Sequence, residues 1–141
     1  MNGRSASTTI TLDLTMHQVT ADGDDVPVRA TLRYDVSDPY AVHATFFAAS
    51  GPPVTWVFAR ELLTNGVLGA AGQGDVRVWR SSQPDSTHVY IGLISSDGEA
   101  LLQVSSAALA TFLRRSYAQC WPGEEDVHLD TDLAIEHLLA S

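Results

Sequence analysis

Five histidines (His17, His43, His88, His128 and His137), one cysteine (Cys120) and the acidic turn Asp22-Gly23-Asp24-Asp25 are the residues whose chemistry could be put to use. No two histidines stand at the i, i+3 or i, i+4 spacing of a helical metal site, and no Cys-x-x-Cys accompanies them. His43 lies between Val42 and Ala44 in an alternating stretch, so it points away from both, as a half-exposed or hydrogen-bonded sheet histidine does. The acidic turn lacks the sixth-position glycine and the closing glutamate of the 12-residue calcium loop and reads as a solvated hairpin. Cys120 stands beside Trp121-Pro122 without a helix amino end or a neighbouring base to lower its pKa. Gly69-Ala70-Ala71-Gly72-Gln73-Gly74 leads into an alternating stretch and not a helix, so it does not read as a phosphate cradle and is expected to be a flexible connector. The residues thus offer no catalytic set, cofactor site or metal site, and the expectation is a protein that is not an enzyme.

Stepping along the chain gives the elements that carry these residues. The first seven residues are small and polar and are expected to be disordered, with a single domain from 8 to 141. Ile10, Leu12, Leu14 and Met16 alternate as in a half-buried strand. Val26 to Tyr34 does the same, with Arg29 and Arg33 on the opposite face. After the Ser37-Asp38-Pro39-Tyr40 turn, Ala41 to Ala48 runs back as a strand. Val54 to Ala59 follows; its consecutive Trp56, Val57 and Phe58 are apolar on both faces, as in a central strand or one covered by a helix or a neighbouring subunit. Ala59 to Asn65 predicts two helical turns stopped at Asn65-Gly66. Strands are predicted over 75–79, 88–95 and 100–104, the last two joined across Asp97-Gly98. A helix capped by Ser105 or Ser106 reaches to about Tyr117, with Leu109, Phe112 and Leu113 inward and Arg114 and Arg115 towards its carboxyl end. A closing helix is expected from about Asp130 to Ala140. The fold class is therefore α+β: a strongly curved antiparallel sheet or open β-barrel of about seven strands, with one short and two carboxyl-terminal helices.

Composition narrows the function further. All eight basic residues are arginine, and the net charge is -9. Such a chain starts repelled from phosphate, which disfavours nucleic acid as a partner. Six acids (Glu124, Glu125, Asp126, Asp130, Asp132 and Glu136) and no arginine lie between Trp121 and Ser141, a face suited to solvent or to steering a basic partner. The lone cysteine and the absence of long apolar runs predict a cytoplasmic protein without membrane insertion.

Four spaced blocks carry a resemblance: Leu32-Arg33-Tyr34-Asp35; Asp38-Pro39-Tyr40 through Phe46; Val54-Thr55-Trp56-Val57-Phe58-Ala59-Arg60-Glu61-Leu62-Leu63; and Gly74-Asp75-Val76-Arg77-Val78-Trp79. With the Asp97-Gly98-Glu99-Ala100-Leu101 hairpin and Phe112-Leu113-Arg114-Arg115, the chain resembles the SsgA-like sporulation and cell-division proteins of actinobacteria. It departs at Arg80, where the family favours proline, and over 117 to 127. The resemblance implies a whirly-like fold, a homotrimer, and a cytoplasmic adaptor at division septa. It implies that the adaptor recruits or positions the tubulin-like division protein FtsZ, with SsgA-like paralogues as partners. The whirly-like fold also raises the alternative of a single-stranded nucleic-acid-binding module. Arginines and aromatics are enriched in interfaces, so Arg33, Arg60 and Arg77, expected to be exposed, are the candidate interaction or oligomer residues, with Tyr40 and Trp56 beside them as either contact or core-packing residues.

Overall fold

The computed structural model describes residues 9–48, 51–96 and 98–125. The expected disordered amino end and the closing helix over 130–140 lie outside the described residues. The strands are β1 (Thr9–Val19), β2 (Asp25–Asp35), β3 (Ala41–Phe47), β4 (Val54–Ala59), β5 (Ala70–Gln73), β6 (Val76–Arg80), β7 (His88–Ser95) and β8 (Gly98–Ser105). Helix α1 (Arg60–Leu68) joins β4 to β5, and α2 (Ser106–Gln119) follows β8.

One eight-stranded sheet runs in the order β4-β3-β2-β1-β8-β7-β6-β5, and every neighbouring pair is antiparallel. It consists of two four-stranded meanders that meet only at His17 opposite Gln103 and Gln18 opposite Leu102. The chain passes from one outer strand, β4, to the other, β5, through α1 alone. A flat sheet of this width would hold its edge strands roughly 34 Å apart, whereas a helix of nine residues spans only about 14 Å. The sheet must therefore curl, and it forms a half-barrel with both helices packed on the buried side, as the fold class predicts.

The period-two alternation sets the core. Ile10, Met16, Ala30, Leu32, Tyr34, Val42, Ala44 and Phe46 are buried along β1 to β3, and the odd-numbered positions between them are partly or fully exposed. Val76, Val78, Val89, Ile91, Leu93, Leu102 and Val104 do the same in the second meander, and Leu62, Leu63, Leu109, Phe112 and Leu113 close the core from the helices.

Three local expectations are corrected. The glycine-rich stretch is not a connector: Ala70–Gln73 is the eighth strand, held by pairing with β6 and not by its own propensity. Strand β4 is not central; it lies at the sheet edge, with Val57 56% exposed. Asn65-Gly66 is not a helix stop, because α1 continues to Leu68 and ends at Gly69, whose N–H donates to the carbonyl oxygens of Asn65 at 3.0 Å and Gly66 at 3.3 Å. Gly66 serves close approach instead: a Cβ there would lie 2.2 Å from Val78 Cγ1.

The cap expected for α2 is present, with the Ala108 N–H donating to Ser105 Oγ at 3.1 Å. Replacing Ser105 by alanine is expected to cost about 1 kcal/mol, read as a lower urea midpoint at unchanged slope.

Candidate functional site

Helix α1 starts without a side-chain cap; the Arg60 N–H instead donates to the Tyr40 carbonyl at 2.7 Å. This bond fixes the side chain of Arg60 towards the interior, where it is 1% exposed. The sequence reading expected an exposed arginine here; the structure buries it. Its Nη1 donates to the Ser116 carbonyl at 3.2 Å and the Cys120 carbonyl at 2.8 Å, and Nη2 donates to Glu125 Oε2 at 2.8 Å. The guanidinium lies 4.8 Å from the Tyr34 ring centroid and 4.4 Å from that of Tyr117, an arrangement that stabilises a desolvated cation. Arg60 thus caps the carboxyl end of α2, a role the sequence reading gave to Arg114 and Arg115, and the last turn of α2 itself carries no basic residue. Thr64 and Tyr117 add a hydrogen bond between the two helices.

Charge balance in this cluster shows in the titrating groups. Burial alone would raise the Glu125 pKa, but the hydrogen bond from Arg60, backbone donors and the Arg60 charge outweigh it and lower it. Burial pushes the Tyr34 hydroxyl well above its ordinary value, and the Arg60 charge offsets only part of that rise. Asp35 likewise opposes burial with hydrogen bonds from the Ser37 backbone and hydroxyl, the Thr9 hydroxyl and the nearby Arg33 charge, and is lowered. Among the described residues no three His, Cys, Asp or Glu side chains converge. His43, half-exposed as expected, has Nε2 at 3.4 Å from Asp38 Oδ2.

The other candidate residues fall on separate surfaces. Arg33 is exposed and pairs with Asp35 at 3.4 Å, and the register sets it beside His43, which stands beside the exposed Val57 of β4. Trp56 turns to the opposite face, half-buried over a hollow of about 210 Å³ that includes Leu93 and Ala100. Tyr40 is 45% exposed at the turn that receives the first residue of α1. Arg77 is exposed on the second meander. Near it, Trp79 stacks with Tyr90 at 5.7 Å between centroids, over a space left by Gly92, where a Cβ would meet Trp79 Cζ3 at 3.4 Å. The sequence reading did not single out Val57, Tyr90 or Glu125. Two-faced apolarity at Trp56-Val57-Phe58 was the signal for the first, whereas nothing local marks the other two.

The family described as "Streptomyces sporulation and cell division protein, SsgA" matches residues 28–125. This chain belongs to the SsgA family. Sporulation-specific cell division protein SsgB of Salinispora tropica is 47% identical, with 94% of each chain covered. SsgB of Streptomyces coelicolor is 46% identical over 95% of this chain and 98% of its own length. Among solved structures, one reported with mutations in SsgB that correlate to longitudinal cell division during sporulation of Streptomyces coelicolor superposes with a TM-score of 0.80. It is 46% identical, covering 86% of this chain and 95% of that one. The crystal structure of an SsgA-like sporulation-specific cell division protein from Thermobifida fusca gives 0.86 at 39% identity, covering 92% and 95%. Within the family match lie β4, Arg60 and the Glu125 that anchors it.

Proposed function

We propose that this chain acts in sporulation-specific cell division as a non-enzymatic adaptor in the cytoplasm at division septa. In this reading it selects septum sites by recruiting or positioning the FtsZ division protein, alone or with SsgA-like paralogues, and it does so as a homotrimer. Membership of the SsgA family and the names of its SsgB relatives support the biological setting. The observation that carries the contact mechanism is the free edge of β4. It exposes Val57 at 56% and Val54 at 51%, and among the described residues the backbone row along its outer side is unpaired. An apolar edge of this kind is a pairing surface unless something covers it. With Arg33 and His43 in the adjoining cross-strand row, the patch has the apolar centre and charged rim of a protein contact.

The expected result is a trimer by light scattering at micromolar concentration, capture of FtsZ by the tagged protein, and septal fluorescence in sporulating hyphae. Val57→Lys, on the exposed face, should leave the circular dichroism spectrum unchanged and abolish either the trimer or the capture. A monomer that captures neither FtsZ nor a paralogue would overturn the proposal. The stacked Trp79 and Tyr90 next to Arg77 favour the second reading, single-stranded nucleic acid laid across aromatic rings. The -9 charge opposes it, and tight, salt-steep retention of single-stranded DNA in a filter-binding titration would promote it.

A further inference from the structure

We propose that the free edge of β5 receives an extended peptide strand of alternating charge, with basic side chains turned to one side of the sheet and acidic side chains to the other. Strand β5 ends the sheet, so among the described residues only its inner side is paired. The Arg80 N–H donates to the Gly69 carbonyl at 2.8 Å, which sets the alternation of the ladder. Ala71 and Gln73 turn their backbone groups to β6, and Ala70 and Gly72 turn theirs outward. The strand carries none of the usual guards of an edge: no proline, no charged side chain and no bulge.

Gly72 points the same way. A glycine inside a strand weakens it, and such a residue marks a bulge, a bend or the approach of another backbone. The register of β5 on β6 is continuous, and a Cβ at Gly72 would meet nothing closer than Arg77 Cγ at 3.5 Å, an ordinary contact. Among the described residues nothing requires the glycine, and its bare backbone suits the close approach of another strand.

Two hollows flank the edge, and both are lined by Ala71, Gly72 and Gln73. One, of about 870 Å³, also presents Arg77 and Arg80. The other, of about 460 Å³, presents Glu61, Asn65 and Tyr40; there Arg60 and Glu125 neutralise one another, leaving Glu61 as the net charge. Among the described residues neither Arg77, Arg80 nor Glu61 makes an ion pair. Successive side chains of a strand face opposite sides, so a peptide added to β5 places one set in each hollow, basic towards Glu61 and acidic towards Arg77, which leaves β6 on the face opposite to the buried Val76 and Val78. This is strand addition read through alternate side chains. It uses the opposite sheet edge from β4 and stands apart from the trimer proposed above.

The test is a titration of the full chain into a blocked, fluorescein-labelled peptide Thr-Arg-Glu-Arg-Glu-Thr, read by fluorescence anisotropy. Saturable binding is expected. Gly72→Pro removes an outward N–H and breaks no ladder bond, so it should leave the melting temperature nearly in place and weaken binding about tenfold or more. Glu61→Gln, on the exposed side of α1, should weaken it about threefold. Absence of saturable binding by the parent overturns the proposal, as does parental affinity in a folded Gly72→Pro protein. Should Gly72→Pro fail to fold, Glu61→Gln decides, with weakened binding supporting the proposal and parental affinity overturning it.

Discussion

Arg60→Ala is expected to destabilise the protein by about 3–5 kcal/mol, the cost of removing one partner from a buried charge cluster. The loss exceeds that of an ordinary surface arginine because the side chain is 1% exposed and satisfies two helix-terminal carbonyls as well as Glu125. Without it, the Cys120 carbonyl oxygen loses its donor, the Ser116 carbonyl is left with the Cys120 N–H alone, Glu125 keeps a desolvated charge, and the gap between the Tyr34 and Tyr117 rings opens. A fall in melting temperature of roughly 10–20 °C follows for a domain of this size. Arg60→Met keeps most of the volume and should recover part of it, whereas Glu125→Gln, with the side chain 15% exposed and Arg60 still bonded to both carbonyls, should cost less than either.

The same cluster fixes a pH dependence. Because folding lowers the Glu125 pKa, the folded state binds fewer protons at this site than the unfolded chain. Its contribution to stability is present in full above the ordinary glutamate range and is lost as pH falls through the folded pKa. Asp35 acts with the same sign. In acid titrations of the unfolding free energy, Glu125→Gln should flatten the decline relative to the parent. A parallel decline in both proteins would show that Glu125 is not held by Arg60 in solution.

Gly66→Ala is the second large effect, and its sign runs against propensity. Alanine is better than glycine within a helix by about 0.5–1 kcal/mol. At this position, however, the added Cβ would meet Val78 Cγ1 at 2.2 Å, Val78 Cβ at 2.5 Å and the Val78 carbonyl oxygen at 3.0 Å. Val78 is fully buried, so the helix must lift off β6. A net loss of about 2–3 kcal/mol is expected from overpacking, measured as a reduced urea midpoint. Val78→Ala in the same chain should relieve only part of the clash, since its Cβ remains, and the double-mutant cycle should report a favourable coupling between the two substitutions. A Gly66→Ala protein as stable as the parent would mean that α1 does not lie this close to the sheet.

These two residues also show where the sequence is legible and where it is not. The strands of the first meander can be read directly, because one buried face imposes a period of two on Ile10 to Met16 and on Ala30 to Tyr34. Ser105 is likewise legible, because a cap is made within three residues of chain. Gly66 misleads because a helix stop and a close helix-sheet contact call for the same residue, and only the position of Val78 distinguishes them. Strand β5 is hidden because alanine and glycine have no preference for strands; the pairing with Val76–Arg80 creates it. Arg60 is read as exposed because its partner Glu125 lies 65 positions away. For the candidate site, the family blocks and the two-faced apolar segment at Trp56-Val57-Phe58 could be read in one dimension. Which of those side chains would stand on an open edge depended on where the sheet ends.

The strands farthest apart in the sheet, β4 and β5, are neighbours along the chain, with six strands between them in one direction and a nine-residue rod in the other. A load applied at one rim therefore reaches the other through a single stiff strut. That strut is bolted at its foot by Arg60 and set flush against the wall by Gly66, while the two-residue seam between β1 and β8 is the part of the wall with least to resist bending.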